Sequence, residues 1–196
     1  WEEQQTDQYT SGKVVVACGL KFIADVTEDP AQAKRWRGAE QDIRDYVAHH
    51  CLTSEGAYAV VAGSEDVDVT AALFPVWDYT APDTPEMLAT IKVLERDYST
   101  GQLYRRHLRS FNSQKEGAFL AGTFWVAQYW VMRRDFERAK AIIDTGLEFA
   151  NDLGLFAEEA DPNTGEMLGN FPQTFVHAAF MGAVLDLKTA MERTSS

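Results

Sequence analysis

Two cysteines and four histidines in 196 residues leave little material for disulfide or metal chemistry. Cys18 and Cys51 both fall in helical patterns, which predicts two reduced, packed thiols and no bridge. His49 and His50 are adjacent, so a helix turns them to different faces and they cannot act as an i, i+4 ligand pair. With no Cys/His cluster at zinc spacing, no metal and no cofactor are expected. Positive charge is also short: 18 Lys and Arg stand against 30 Asp and Glu, for a net charge of −12. That balance excludes a surface that tracks nucleic-acid phosphates or binds an anionic membrane face. No apolar run is long enough to span a bilayer, and no secretory leader pattern is visible. The sequence opens at Trp1, so a fragment or a processed product is expected. A cytoplasmic location is favoured, with an upstream targeting segment left open. Strand signals are confined to 57–61 and 103–104.

What the chain does have is apolar mass, 45 % of residues with 12 % aromatics, enough for one domain with a substantial core. Helical patterns alternate in character. The segment from Thr10 through Val26 is apolar almost all round and reads as a buried helix. After Pro30, Trp36, Ala39, Ile43 and Val47 recur on one face of an amphipathic helix. A short apolar helix is expected over 66–77, and an amphipathic one from Thr84-Pro85 to Tyr98. Residues 117–132 again read as buried, 135–150 as amphipathic, and 172–187 as buried. Short turns make successive helices antiparallel, so the buried ones all run the same way with the others returning outside. This predicts an all-α fold of inner and outer helices, curved into a ring or a solenoid.

That arrangement gathers the loops entering the buried helices at one end. They carry Glu2-Glu3, Asp66 and Asp68, Glu116, and Glu158-Glu159-Asp161. Helix starts attract carboxylates for capping and for the dipole alone. Trp1, Tyr9, Phe119, Phe156 and Phe171 lie in or beside the same loops, however, and acids among aromatic faces suit a sugar. Hydrolysis of a glycosidic bond needs two carboxyl groups, one to protonate the leaving oxygen and one to activate water or stabilise positive charge. The connection 154–173 is longer than an ordinary turn, and long ordered loops in compact domains are usually functional.

Several segments resemble glycoside hydrolase family 15, which holds glucoamylases, glucodextranases and bacterial α,α-trehalases. Trp1-Glu2-Glu3 ahead of Thr10 is similar to its general-acid segment, and Glu116-Gly117-Ala118-Phe119 with Thr123-Phe124-Trp125 to an inner-helix start. Leu155-Phe156-Ala157-Glu158-Glu159, Asp161-Pro162, Thr164-Gly165-Glu166 and Leu168-Gly169-Asn170-Phe171-Pro172-Gln173 resemble its general-base segment. One departure is Gly12, where trehalase-like members often carry serine between Thr and Lys. The resemblance implies an (α/α)6 barrel, of which 1–196 is the C-terminal part of one catalytic domain. Four inner helices are counted here against the family's six, so an incomplete ring is expected, and activity of the fragment alone is left open.

The resemblance further implies inverting hydrolysis of an oligosaccharide or disaccharide of α-linked glucose. Glu2 is then the general acid and Glu158 the general base, standing roughly 6.5–9.5 Å apart to leave room for water. Trp1, Glu3, Glu116 and Phe119 are the expected substrate contacts. Trp125 and Trp130 read as core, His177 as a satisfied core histidine, and Lys13 as a carboxylate partner or a cap. The competing readings are a helical-hairpin scaffold that binds a protein partner, and an inactive truncated relative that keeps its sugar-binding aromatics.

Overall fold

The computed structural model describes residues 6–106 and 116–194. Six α-helices dominate it: α1 (Thr10–Val26), α2 (Pro30–His50), α3 (Pro85–Val93), α4 (Leu120–Met132), α5 (Phe136–Leu147) and α6 (Thr174–Thr194). The helix starts follow from local chemistry. Asp29 accepts from the backbone N–H groups of Ala31 and Gln32 with Pro30 in the first turn, Thr84 accepts from Met87 N–H ahead of Pro85, and Asp135 accepts from Arg138 N–H. The helix α3 runs on through a π-helical turn, Leu94–Tyr98, so the predicted helix to Tyr98 holds in extent.

The helix α4 sits at the centre. Eleven of its thirteen residues are buried, and it packs against α5, α6 and the segment around Val69–Leu73. The mate of α1 is α2. Two short sheets complete the fold among the described residues. Strands β1 (Ser99–Thr100) and β2 (Leu103–Tyr104) form a hairpin. Strands β3 (Ala118–Phe119), β4 (Glu159–Ala160) and β5 (Met167–Leu168) form an antiparallel sheet in that order.

Three expectations are corrected. The apolar stretch 66–77 is not an α-helix: it holds one 3-10 turn, Val69–Leu73, capped by Asp68. Its backbone is tied elsewhere, Val67 N–H donating to Tyr98 Oη (2.9 Å) and Val69 N–H to the Arg106 carbonyl (2.9 Å). The last helix begins at Thr174, not Pro172, which lies in a cis peptide with Phe171 ahead of it, and it continues to Thr194. Finally, α1 and α6 are not buried all round. In α1, Val15, Val16, Phe22, Ile23 and Val26 are exposed, and in α6, Phe175, Met181, Leu185 and Met191 are. These two helices have inner-layer sequences, but among the described residues α1 packs mainly on α2, and α6 on α4 and α5. The 57–61 signal yields isolated bridges (Leu52 with Tyr58, Ala59 with Val67), whereas 103–104 is strand β2.

Candidate active site

The long loop 154–173 folds back on itself about a turn of Asp161, Pro162, Asn163, Thr164 and Gly165. Asp161 Oδ1 accepts from Asn163 N–H (2.9 Å) and its carbonyl from Gly165 N–H (2.9 Å), with Gly165 at φ +74°. The hairpin pairs Glu159 with Leu168 and Ala160 with Met167. Continued by one residue, that register would set Glu158 opposite Gly169. Instead Glu158 N–H donates to the carbonyl of Asn170 (2.9 Å). Gly169, at φ +72°, is the extra residue, as in a bulge built on a left-handed glycine.

The bulge aims the first glutamate outward. Glu158 is half-buried, and its Oε2 accepts from Asn170 N–H (3.2 Å) and Asn170 Nδ2 (2.8 Å). Its carbonyl accepts from Leu120 N–H (3.2 Å), the first residue of α4. Glu159 is used differently. Its Oε2 accepts from Gly117 N–H (2.9 Å), which ties β4 to the residue before β3. Burial pushes the Glu159 carboxyl above the usual carboxylate range, opposed by the Gly117 bond and by Arg106 and reinforced by Glu116 and Glu158. Arg106 pairs with Glu116 (3.2 Å) and lies over the Phe119 ring (5.9 Å). Since the Arg106 carbonyl also holds Val69 N–H, the loops carrying Asp68, Glu116 and Glu158-Glu159 meet as predicted.

An open cavity of about 530 Å³ lies between the starts of the inner helices. It is lined by Ser11 and Val15 of α1, Thr70 and Leu73 of the 3-10 turn, Trp125 of α4, and Phe175 of α6. Residues from the first turns of α1 and α6 thus face one space, as parallel inner helices require. The Trp125 indole stands edge-on between Phe119 (5.6 Å) and Phe175 (5.5 Å). Such pairs add about 0.5–1.5 kcal/mol to the area they bury. Trp125, expected in the core, is buried but also forms cavity wall, and Phe119, expected at the mouth, is buried behind it.

Trp1, Glu2 and Glu3 lie outside the described residues. Glu116 and Glu158 are brought to one region, held by Arg106 and Asn170 respectively. His177 is a satisfied histidine: Nε2 accepts from Phe156 N–H (3.2 Å) and the ring packs on Phe156 (5.1 Å). Among the described residues Lys13 meets no carboxylate and caps no helix; it reaches Gln8 Oε1 and lies over the Tyr46 ring (4.9 Å). Cys18 and Cys51 are free, with burial raising both thiols. Among the described residues no group of three or more His, Cys, Asp or Glu could hold a metal ion. Arg106 and Phe175 were not singled out in the sequence, and Gly169 and Asn170 entered it only as part of the general-base segment, with no role of their own at the site. Asn170 reads as a helix cap, yet Asp-Pro-Asn-Thr-Gly at 161–165 is a hairpin signal, and folding there brings 170 back to 158.

The comparisons with known proteins point one way. The model of the glycosyl hydrolases family 15 matches residues 1–144 and 131–185. A trehalase of Mycobacterium tuberculosis is 31 % identical over 204 aligned residues, covering all of this chain and 30 % of the relative. A trehalase of Thermoplasma volcanium is 26 % identical, again over the whole chain and 33 % of the relative. The chain therefore spans about a third of the length of these curated relatives. Among solved structures, a wild-type glycosidase superposes with a TM-score of 0.84 at 15 % identity, over 96 % of this chain and 54 % of its own. A bacterial glucoamylase complexed with acarbose superposes at 0.80 and 15 % identity, over 93 % and 33 %. The fold is thus part of an (α/α)6 barrel, and the chain belongs to the glycosyl hydrolases family 15.

Proposed function

We propose that this chain carries the general-base half of a glycoside hydrolase that cleaves α-glucosidic bonds in trehalose or in α-linked glucose oligosaccharides. The observation that supports it best is the state of Glu158: a half-buried carboxylate at the end of the inner layer, with one oxygen held by Asn170. The trehalase relatives and the neighbour solved with acarbose support the substrate class.

In this reading Glu2 gives its proton to the glycosidic oxygen as the bond from C1 breaks. Glu158 takes a proton from a water that attacks C1 from the opposite face, so configuration inverts. Trp1, Glu3 and Glu116 contact the sugar, Glu116 with its charge shared with Arg106. Phe119 acts through Trp125, which it braces.

The test is the full chain with Glu158→Gln, which keeps size and hydrogen bonding but cannot take a proton. Glucose release is expected to fall about 10²–10⁴-fold, the usual share of general acid–base catalysis. Wild-type turnover in that variant would sink the role. Proton NMR of the first product should show β-glucose from an inverting enzyme, and α-glucose alone, newly released, would overturn inversion.

A further inference from the structure

A carboxylate that takes a proton from water works best when one oxygen is fixed and the other is left for the water. Glutamate is poorly suited to this unaided, because its rotamer freedom is expensive to remove. Here a single residue does most of the holding. Asn170 contacts Glu158 three times: its carbonyl accepts Glu158 N–H (2.9 Å), while its own N–H (3.2 Å) and its Nδ2 (2.8 Å) both donate to Oε2. Bonds to an ionised acceptor are roughly twice as strong as neutral ones. Both donors converge on Oε2, and Oε1 has no hydrogen bond among the described residues.

Gly169 makes the approach possible. A Cβ on it would stand 3.0 Å from both Glu158 Oε2 and Glu158 Cβ, and its φ of +72° is one that side chains disfavour. The role is not helix capping, since α6 begins four residues later and the Asn170 amide is turned to Glu158.

We propose that Asn170, set in place by the Gly169 bulge, is the positioning residue of the general base: it clamps Oε2 of Glu158 so that Oε1 faces the attacking water. This rests on the reading of Glu158 as the base.

The experiment is a double-mutant cycle in the full chain, with kcat and KM for trehalose or maltose, whichever is turned over. Asn170→Ala is expected to lower kcat about 10–100-fold, the cost of loosening a reacting group by an ångström, with KM little changed. On a Glu158→Gln background the same change should cost nothing further. A further loss there, or a loss in KM alone, overturns the clamp. Wild-type kcat in Glu158→Gln removes the base itself, whereas wild-type kcat in Asn170→Ala beside an impaired Glu158→Gln removes only the clamp. A crystal structure of Asn170→Ala reads the same point without turnover. The carboxylate should leave its single position while the Leu120 N–H bond to the Glu158 carbonyl persists; an unmoved carboxylate overturns the proposal.

Discussion

Helices α1 and α4 have the same kind of sequence and different fates. Both are apolar nearly all round. The helix α4 buries Leu120 through Tyr129 without a break, whereas α1 leaves Val15, Val16, Phe22, Ile23 and Val26 in solvent. The difference lies in what surrounds them. The helix α4 is enclosed by α5, α6 and the 3-10 turn, while α1 has α2 on one side and the open cavity near its start. An all-round apolar helix thus states how many faces are meant to be covered, not how many are covered within one stretch of chain. The exposed apolar side chains of α6 carry the same message at the other edge of the layer.

Removing one phenylalanine from each helix should separate the two most strongly. Phe124 of α4 is fully buried among Phe156 (5.5 Å) and Phe180 (5.3 Å), so Phe124→Ala should cost about 3–5 kcal/mol. Phe22 of α1 is 69 % exposed, and Phe22→Ala should stay within about 0.5 kcal/mol. Urea midpoints of the two variants decide it. Equal losses would mean that the α1 face is covered in solution.

Two glycines carry the comparison further, with opposite signs. A Cβ on Gly146 of α5 would stand 2.6 Å from the ring of Phe124, so Gly146→Ala should destabilise by about 1–3 kcal/mol through overpacking. Gly19, in the middle of α1, has nothing within 4 Å of its would-be Cβ among the described residues. There Gly19→Ala should stabilise by about 0.4–1 kcal/mol by removing freedom from the unfolded chain. A stabilising Gly146→Ala in thermal unfolding would show that the α4–α5 contact is looser than its geometry.

The helices were legible in the sequence because their period and their caps are local. Asp29 with Pro30, Thr84 with Pro85 and Asp135 each do at the backbone what their residue types suggest. The segment 57–74 was not legible, although it holds much of the core. Its backbone groups are satisfied by side chains far along the chain, Tyr58 N–H by Thr90 Oγ1 and Val67 N–H by Tyr98 Oη. No local pattern encodes such partners. The site divides the same way. Glu158 stood out through the motif around it, whereas Asn170 emerges only once the register and its bulge are known. The two-residue strands β4 and β5 are too short to show a period of two.

The smallest effect contrasts an exposed carboxylate with a half-buried one. Asp78 pairs with Lys21 of α1 in nearly full solvent, and that hydrogen bond holds its carboxyl below the usual range. Glu159, fastened to Gly117 ahead of α4, is pushed above it by burial. The two signs run opposite ways. For Asp78 the folded state binds protons less readily, so any stability it adds is present above the unfolded pKa and fades as pH falls; solvent screening keeps it small. For Glu159 the folded state binds the proton more readily, so a penalty appears as pH rises through the ordinary glutamate pKa and is complete above the raised one. Replacing Glu159 by Gln keeps an oxygen for Gly117 N–H and removes the charge. Glu159→Gln should therefore melt at or above wild type at pH 7, by an amount worth under about 1 kcal/mol once its partial exposure is discounted, and the gain should vanish below about pH 4. Lys21→Met should change neither end of that profile measurably. A Glu159→Gln variant that melts lower at pH 7 than at pH 4, relative to wild type, would show that the ionised carboxylate is an asset to the sheet, with Arg106 outweighing burial.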